Sequence, residues 1–188
     1  MSEKHSFTAD QLRYLNVLSR QYPTVQSASS EIIHLRSILN LPKGTEHFMS
    51  DIHGEYEAFL HILNSGSGEV KEKLEELFCN TMTQKDRNDL ATLIYYPQAK
   101  IALVSDETED MEEWYRINLH RLVLLCRWVS VKYTRSKVRA AMPEGYRDII
   151  DELLHTRDDE QNKKEYYENL ISSIIEIGQA GDVIEAIC

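Results

Sequence analysis

Asp51 and His53 are the residues of this sequence whose types and spacing are best suited to chemistry. They lie in the segment EHFMSDIHGE, residues 46 to 55. In an extended segment, side chains two residues apart leave the same face, with Cα atoms about 6.6 Å apart. A carboxylate and an imidazole can lean together from that spacing onto one divalent cation, whose ligand atoms lie about 2.0–2.2 Å away. The pair therefore predicts two ligands of a metal site.

The neighbouring residues indicate how the backbone would present this pair. His47 to Ser50 fit a short strand, and Gly54 allows a sharp turn. Glu55 opens an amphipathic helix, whose first-turn amides would point toward a phosphate beside the metal. Without further context, D-x-H is weak, and a helix cap followed by a half-buried histidine is the favoured interpretation of the two residues. We interpret Glu55 as a first-turn helix acid and leave it out of the catalytic set.

The order of strand, D-x-H-G and helix is more specific than the tripeptide. The segment LPKGTEHFMSDIHGEYEAFLHIL, residues 41 to 63, resembles the first motif of the calcineurin-like metallophosphatases. The later segments NSGSGEVKEKLEELF, LIYYP and SVKYTRSKVRAAMPE, with the acidic and aromatic tail, resemble the N-terminal third of bacterial class III fructose-1,6-bisphosphatases. The resemblance covers nearly the whole chain.

The resemblance implies a parent fold, a metal and a reaction. The fold would be an α/β metallophosphatase sandwich, and Asp51 and His53 would be ligands in a site that holds two manganese ions. The reaction would be hydrolysis of fructose 1,6-bisphosphate to fructose 6-phosphate and phosphate, a step of gluconeogenesis. The family's later metal motifs, of the G-D-x-x-D-R and G-N-H types, do not occur after His53. We therefore expect an incomplete N-terminal part, cut before the second metal motif and inactive by itself.

Apolar periodicity predicts a mostly α-helical chain in three parts. Residues 1–44 carry two helices, the first capped by Thr8 and ending before Pro23, the second starting at Thr24 or Ser27. Residues 45–63 hold the first strand, the metal motif and its helix, and residues 64–188 fit the family's helical insertion. Within that insertion, residues 101–104 fit either a helix or a strand, and the segment from Asp110 predicts a long core helix.

Composition excludes some classes of partner and location. The formal net charge of −10 argues against a nucleic-acid-binding protein. The sequence shows neither an apolar run of roughly 20 residues nor a signal peptide, so we expect no membrane partner. Cys79, Cys126 and Cys188 show no disulfide or C-x-x-C spacing, which is typical of reduced thiols in a cytoplasmic protein. Cys126 lies on an apolar stripe and is expected to pack.

A basic stretch is the second notable feature of the sequence. No acidic residue occurs between Trp114 and Pro143. Four of the cations in this interval fall within eight residues: Lys132, Arg135, Lys137 and Arg139. They fit either a solvated or ion-paired helix end, or a site for a substrate or effector phosphate.

Two functional hypotheses of different class follow. The first is a metal-dependent sugar phosphatase acting on fructose 1,6-bisphosphate. The second is a helical regulatory or assembly module without catalysis of its own, whose D-x-H-G loop binds nothing useful alone. In either case the strand would lack its sheet neighbours, so the remainder of the enzyme or another copy of the chain is the expected protein partner.

Overall fold

The computed structural model describes residues 7–41, 43, 46–51, 53–156 and 161–188. The chain divides into two compact units, Met1–Lys43 and Gly44–Cys188. The described residues form eleven α-helices and no β-strand. The prediction of a mostly α-helical chain is therefore confirmed.

The first unit contains α1 (Ala9–Gln21) and α2 (Val25–Ile38). Both helices begin with a capping box, in which a threonine side chain and the side chain three residues later each accept a bond from the other's backbone N–H. Thr8 caps α1 and Thr24 caps α2. These local interactions explain why the boundaries could be predicted from the sequence.

The described residues of the second unit form nine helices and one 3₁₀ turn, at Gly66–Gly68. The helices are α3 (Tyr56–Ser65), α4 (Glu69–Phe78), α5 (Gln84–Tyr95), α6 (Pro97–Glu107), α7 (Met111–Ser130), α8 (Arg135–Ala141), α9 (Arg147–His155), α10 (Gln161–Glu176) and α11 (Ala180–Ile187). Residues 101–104 are helical. Pro97 occupies the first turn of α6, where its fixed φ favours a helix and its missing N–H costs nothing.

Helix α7 lies at the centre of the second unit, as its apolar pattern predicts. Its buried residues include Leu119, Leu122 and Val123. Helices α4, α9, α10 and α11 pack against it. The apolar side chains of all these helices form one core cluster. The metal motif therefore precedes a helical body that has its own core.

The strand predicted over His47 to Ser50 is not formed in this structure. Residues 46–50 are assigned to neither a helix nor a strand. A strand needs backbone hydrogen bonds to a neighbouring strand, and the described part of the chain offers no such neighbour. The side chain of Phe48 is accordingly 90% exposed.

No helix in the described ranges is long and apolar enough to cross a membrane. The three cysteines are free thiols.

Candidate metal centre

Asp51 and His53 converge, although not in the extended conformation that their spacing predicts. Their φ angles are 66° and 51°, which places both residues in the left-handed region. Asp and His occur there more often than other residues with a Cβ atom. This turn brings Asp51 Oδ1 within 2.7 Å of His53 Nε2. The expectation of an extended backbone is therefore wrong, because the two side chains meet through a left-handed turn instead.

The chemistry of this pair fits a divalent cation. A carboxylate oxygen and an imidazole nitrogen are ligands that manganese and zinc accept in proteins. The side chains of Asp51 and His53 are 75% and 73% exposed, so both are accessible to further ligands. Among the described residues, no group of three or more His, Cys, Asp or Glu side chains is arranged to hold a metal. The pair thus supplies two ligands, and the assignment of these residues stays a prediction.

Gly54 and Glu55 connect the pair to helix α3. Gly54 has a φ of 74°, so the predicted turn is present at a position that favours glycine. Glu55 is the N-cap of α3, but its side chain makes no capping hydrogen bond. The first-turn amides of α3 therefore receive no side-chain acceptor from the cap position.

Helix α3 is attached to the helical body at the end of α5. His61 Nδ1 and the Tyr96 hydroxyl share a hydrogen bond of 2.8 Å. Asn64 Nδ2 donates to the Tyr95 carbonyl oxygen at 2.9 Å. The His61 ring also stacks on Tyr96, at a centroid distance of 6.1 Å, and meets Tyr95 edge-on at 5.7 Å. The helix that follows the metal motif is thus joined to two consecutive tyrosines.

In the basic stretch, two arginines form an ion-pair cluster with an acid from α9. Asp151 is buried, and its Oδ2 accepts from Arg135 at 2.7 Å and from Arg139 at 3.1 Å. Arg139 also pairs with Asp148. Hydrogen bonding to Arg135 is the main reason that the pKa of Asp151 is held below its ordinary value. His155 lies on the other side, with Nδ1 3.1 Å from Asp151 Oδ1.

The two lysines of the stretch make different contacts. Lys132 Nζ lies 3.7 Å from Glu69 at the start of α4. Lys137 Nζ lies 5.0 Å from the centre of the Tyr133 ring, a cation–π contact. The arrangement around Arg135 and Arg139 matches the ion-paired helix end that the sequence also allowed. A phosphate site here stays a prediction.

The model of one protein family, described as Firmicute fructose-1,6-bisphosphatase, matches residues 13–188. The match includes the metal motif, the helical body and the basic stretch. The chain belongs to this family.

Curated relatives agree with this family. A class 3 fructose-1,6-bisphosphatase of Clostridium beijerinckii is 53% identical over 179 residues, and one of Clostridioides difficile is 52% identical over 176 residues. One of Clostridium botulinum is 53% identical over 178 residues. These alignments cover 94–95% of this chain and 27% of each relative, so the chain spans about a quarter of the length of these proteins. No solved structure matches the chain.

Sequence reasoning about this family member missed two groups of contacts. The LIYYP segment carried part of the family resemblance, but its role in holding α3 was not predicted. Pro97, directly after Tyr96, was the available signal in the sequence. Proline restricts the backbone φ angle, so it indicates that the two tyrosines lie at a well-defined helix boundary. The acids that pair with Arg135 and Arg139 were missed because they come from α9. The D-x-x-D spacing of Asp148 and Asp151 was the signal, since residues three apart share a helix face.

Proposed function

We propose that this protein acts in the hydrolysis of fructose 1,6-bisphosphate to fructose 6-phosphate and phosphate. The observation that carries the proposal is the family match over residues 13–188. The relatives named above are class 3 fructose-1,6-bisphosphatases, and their identity of 52–53% extends over the metal motif and the helical body. Because the chain covers 27% of their length, the activity is proposed for the whole enzyme.

In this proposal Asp51 and His53 are ligands of a divalent cation, with manganese as the expected metal and two ions in the whole enzyme. The support is the 2.7 Å approach of a carboxylate oxygen and an imidazole nitrogen, both open to solvent. Such ions, when bound, supply a Lewis acid that polarises phosphoryl oxygens and lowers the pKa of water. The N–H groups of Glu57 and Ala58 in the first turn of α3, which receive no hydrogen bond from the Glu55 side chain, would donate to the substrate phosphate.

We further propose that the whole enzyme contains a β-sheet, which the described residues do not form by themselves. We infer that His47 to Ser50 pair with strands of an α/β metallophosphatase sandwich in the whole enzyme. The support is the backbone of residues 47–50, which is exposed and belongs to neither a helix nor a strand. A cytoplasmic location belongs to the same proposal, supported by three free thiols.

Metal removal tests the activity directly. Phosphate release from fructose 1,6-bisphosphate is measured for the whole enzyme after EDTA treatment and gel filtration, then after adding Mn²⁺ or Mg²⁺. We expect activity to disappear with the metal and to return with Mn²⁺. Fructose 6-phosphate serves as the control substrate and should be hydrolysed far more slowly. Full activity without metal would contradict the proposed function, as would equal rates on the two sugar phosphates.

The helical module is retained as a second candidate because of one observation. The buried core of the second unit comes from residues 74 to 184, which lie outside the metal motif, so packing of this body does not require a metal. Titration of the whole enzyme with Mn²⁺ distinguishes the two functions. Stoichiometric binding that Asp51→Asn abolishes supports the phosphatase, whereas absence of any binding in the whole enzyme supports the module.

A phosphate site in the basic stretch is a further part of the proposal. Its support is the concentration of positive charge at Lys132, Arg135, Lys137 and Arg139 in a chain of net charge −10. Arg135→Ala should raise the substrate concentration that gives half-maximal activity, or the concentration of an anionic effector that gives half of its maximal effect. The affinity for metal should not change. Unchanged dependence on every anion tested would assign these residues to the ion-pair cluster alone.

A further inference from the structure

Helix α3 is the element between the metal motif and the helical body. It has ten residues and is therefore about 15 Å long. It begins directly after Gly54 and Glu55, which follow His53 in the sequence. Ser65, at its last position, is the one buried residue among those described in α3. Phe59 and Leu60 are half-buried, and α3 packs against α4 and α5, so apolar packing fixes only one side of this helix.

Polar contacts at the C-terminal half of α3 further restrict the orientation of this helix. His61 and Asn64 are three residues apart and share a helix face. They hydrogen-bond to Tyr96 and to the Tyr95 carbonyl oxygen at 2.8 and 2.9 Å. The stacked and edge-on ring contacts of His61 with the same two tyrosines further restrict its orientation.

The backbone of Tyr95 and Tyr96 is held in place by the helical body. The side chain of Tyr95 is 6% exposed and belongs to the core cluster. Tyr96 ends α5, where its N–H donates to the Thr92 carbonyl oxygen at 2.9 Å, and it is also the N-cap of α6. Pro97 then fixes the backbone at the first position of α6. Movement of Tyr96 would therefore disturb two helices.

We propose that His61 and Tyr96 are positioning residues for the metal motif. Their contact fixes the C-terminal half of α3, and the helix transmits this restraint to its first residue, Tyr56, which follows His53 by three residues and Asp51 by five. Without the contact, α3 pivots about Gly54. A divalent cation must then order a mobile segment when it binds, which lowers its affinity. The inference rests on the proposed function, since it takes Asp51 and His53 as ligands.

The neighbouring tyrosines provide a matched pair of variants. Tyr96→Phe removes the hydroxyl that contacts His61 and keeps the ring. Tyr95→Phe removes a hydroxyl that has no hydrogen-bond partner among the described residues. Two measurements are made on each: the Mn²⁺ concentration that gives half-maximal hydrolysis by the whole enzyme, and hydrogen exchange of the amides of residues 56–65. The metal readout separates positioning from a contribution to stability alone.

For Tyr96→Phe, we expect the half-maximal Mn²⁺ concentration to rise about fivefold and exchange in α3 to accelerate, with turnover at saturating Mn²⁺ within twofold of wild type. Tyr95→Phe should leave the Mn²⁺ dependence unchanged. If Tyr96→Phe lowers the melting temperature so far that the comparison fails, Asn64→Ala tests the same attachment from α3 and should shift the Mn²⁺ dependence in the same direction.

The experiment distinguishes failure of the positioning role from failure of the proposed function. If wild-type hydrolysis depends on Mn²⁺ and neither Tyr96→Phe nor Asn64→Ala shifts that dependence, the positioning role is wrong and the proposed function stands. If wild-type hydrolysis does not depend on a metal, the proposed function and this inference are both wrong.

Discussion

Asp51 and His53 both adopt left-handed backbone conformations, which cost of order 1–3 kcal/mol for a residue with a Cβ atom. Such backbone strain occurs most often at functional sites. Here the strain has a chemical result, since it brings a carboxylate and an imidazole within 2.7 Å. The two side chains therefore contact each other directly, and their role as ligands of one cation stays a prediction.

Asp151 shows how a buried acid organises the basic stretch. Its carboxylate contacts the side chains of Arg135, Arg139 and His155. Its pKa is lowered, chiefly by the hydrogen bond from Arg135. A lowered pKa in the folded state stabilises the fold above the unfolded-state pKa, near 3.9, and this stabilisation is lost as the pH falls through the folded-state value.

Asp151→Asn is predicted to lower the free energy of unfolding by about 1 kcal/mol at pH 7, a small value because both arginines are partly exposed to solvent. The loss should begin to diminish as the pH falls below the unfolded-state pKa, near 3.9, and should disappear below the lower pKa of Asp151 in the folded state. Urea unfolding at pH 7 and pH 3 measures both effects. Asp148→Asn, which removes an exposed carboxylate from the same cluster, is the control and should change stability less. Equal effects of the two variants would contradict the role given to Asp151.

At the scale of elements, the sequence was most informative where the determining interactions are local. Thr8, Thr24 and Thr83 each form a capping box with the residue three positions later, so the helix starts are encoded within four residues. The strand predicted at His47 to Ser50 is not formed by the described residues and stays a prediction for the whole enzyme, because strand pairing depends on a distant neighbour. The contact of His61 with Tyr96 spans 35 positions and has no periodic pattern.

Thr83→Ala is predicted to destabilise the second unit by about 1 kcal/mol. The Thr83 side chain accepts from the Asp86 N–H and donates to Asp86 Oδ2 at 2.7 Å, and α5 carries the buried residues Leu90 and Leu93. Thermal unfolding followed by circular dichroism measures the change. Thr92→Ala, on the same helix, is the control: its hydroxyl bonds the carbonyl oxygen four residues earlier, so its loss should have little effect. If both variants unfold at the wild-type temperature, the Thr83 cap of α5 does not contribute measurably to stability.

At the scale of the whole molecule, the described residues combine a self-packed helical body with an exposed two-ligand motif. The core is centred on α7, whereas Asp51 and His53 are about three-quarters exposed. Sequence reasoning could predict the body from apolar periodicity and the motif from its residue types. It could not predict the left-handed geometry, since the strand pattern favoured an extended backbone.

The 188-residue chain, assayed alone, is predicted to bind Mn²⁺ weakly and to hydrolyse little fructose 1,6-bisphosphate. One carboxylate and one imidazole leave most of the coordination shell to water, whereas catalytic sites usually have three or more protein ligands. Calorimetry with Mn²⁺ and a phosphate-release assay check this. Hydrolysis at an ordinary enzymatic rate by the purified chain would show that its own residues complete the site.

The most direct test of the central claim is fructose 1,6-bisphosphate hydrolysis by the whole enzyme carrying Asp51→Asn or His53→Ala, with Mn²⁺ present. Each variant should lose activity by on the order of 100-fold or more, because each removes a metal ligand, while its helical circular dichroism stays at the wild-type level. Glu57→Gln, which removes an exposed acid from the first turn of α3, is the control and should keep normal activity. Near-normal turnover in both ligand variants would contradict the account.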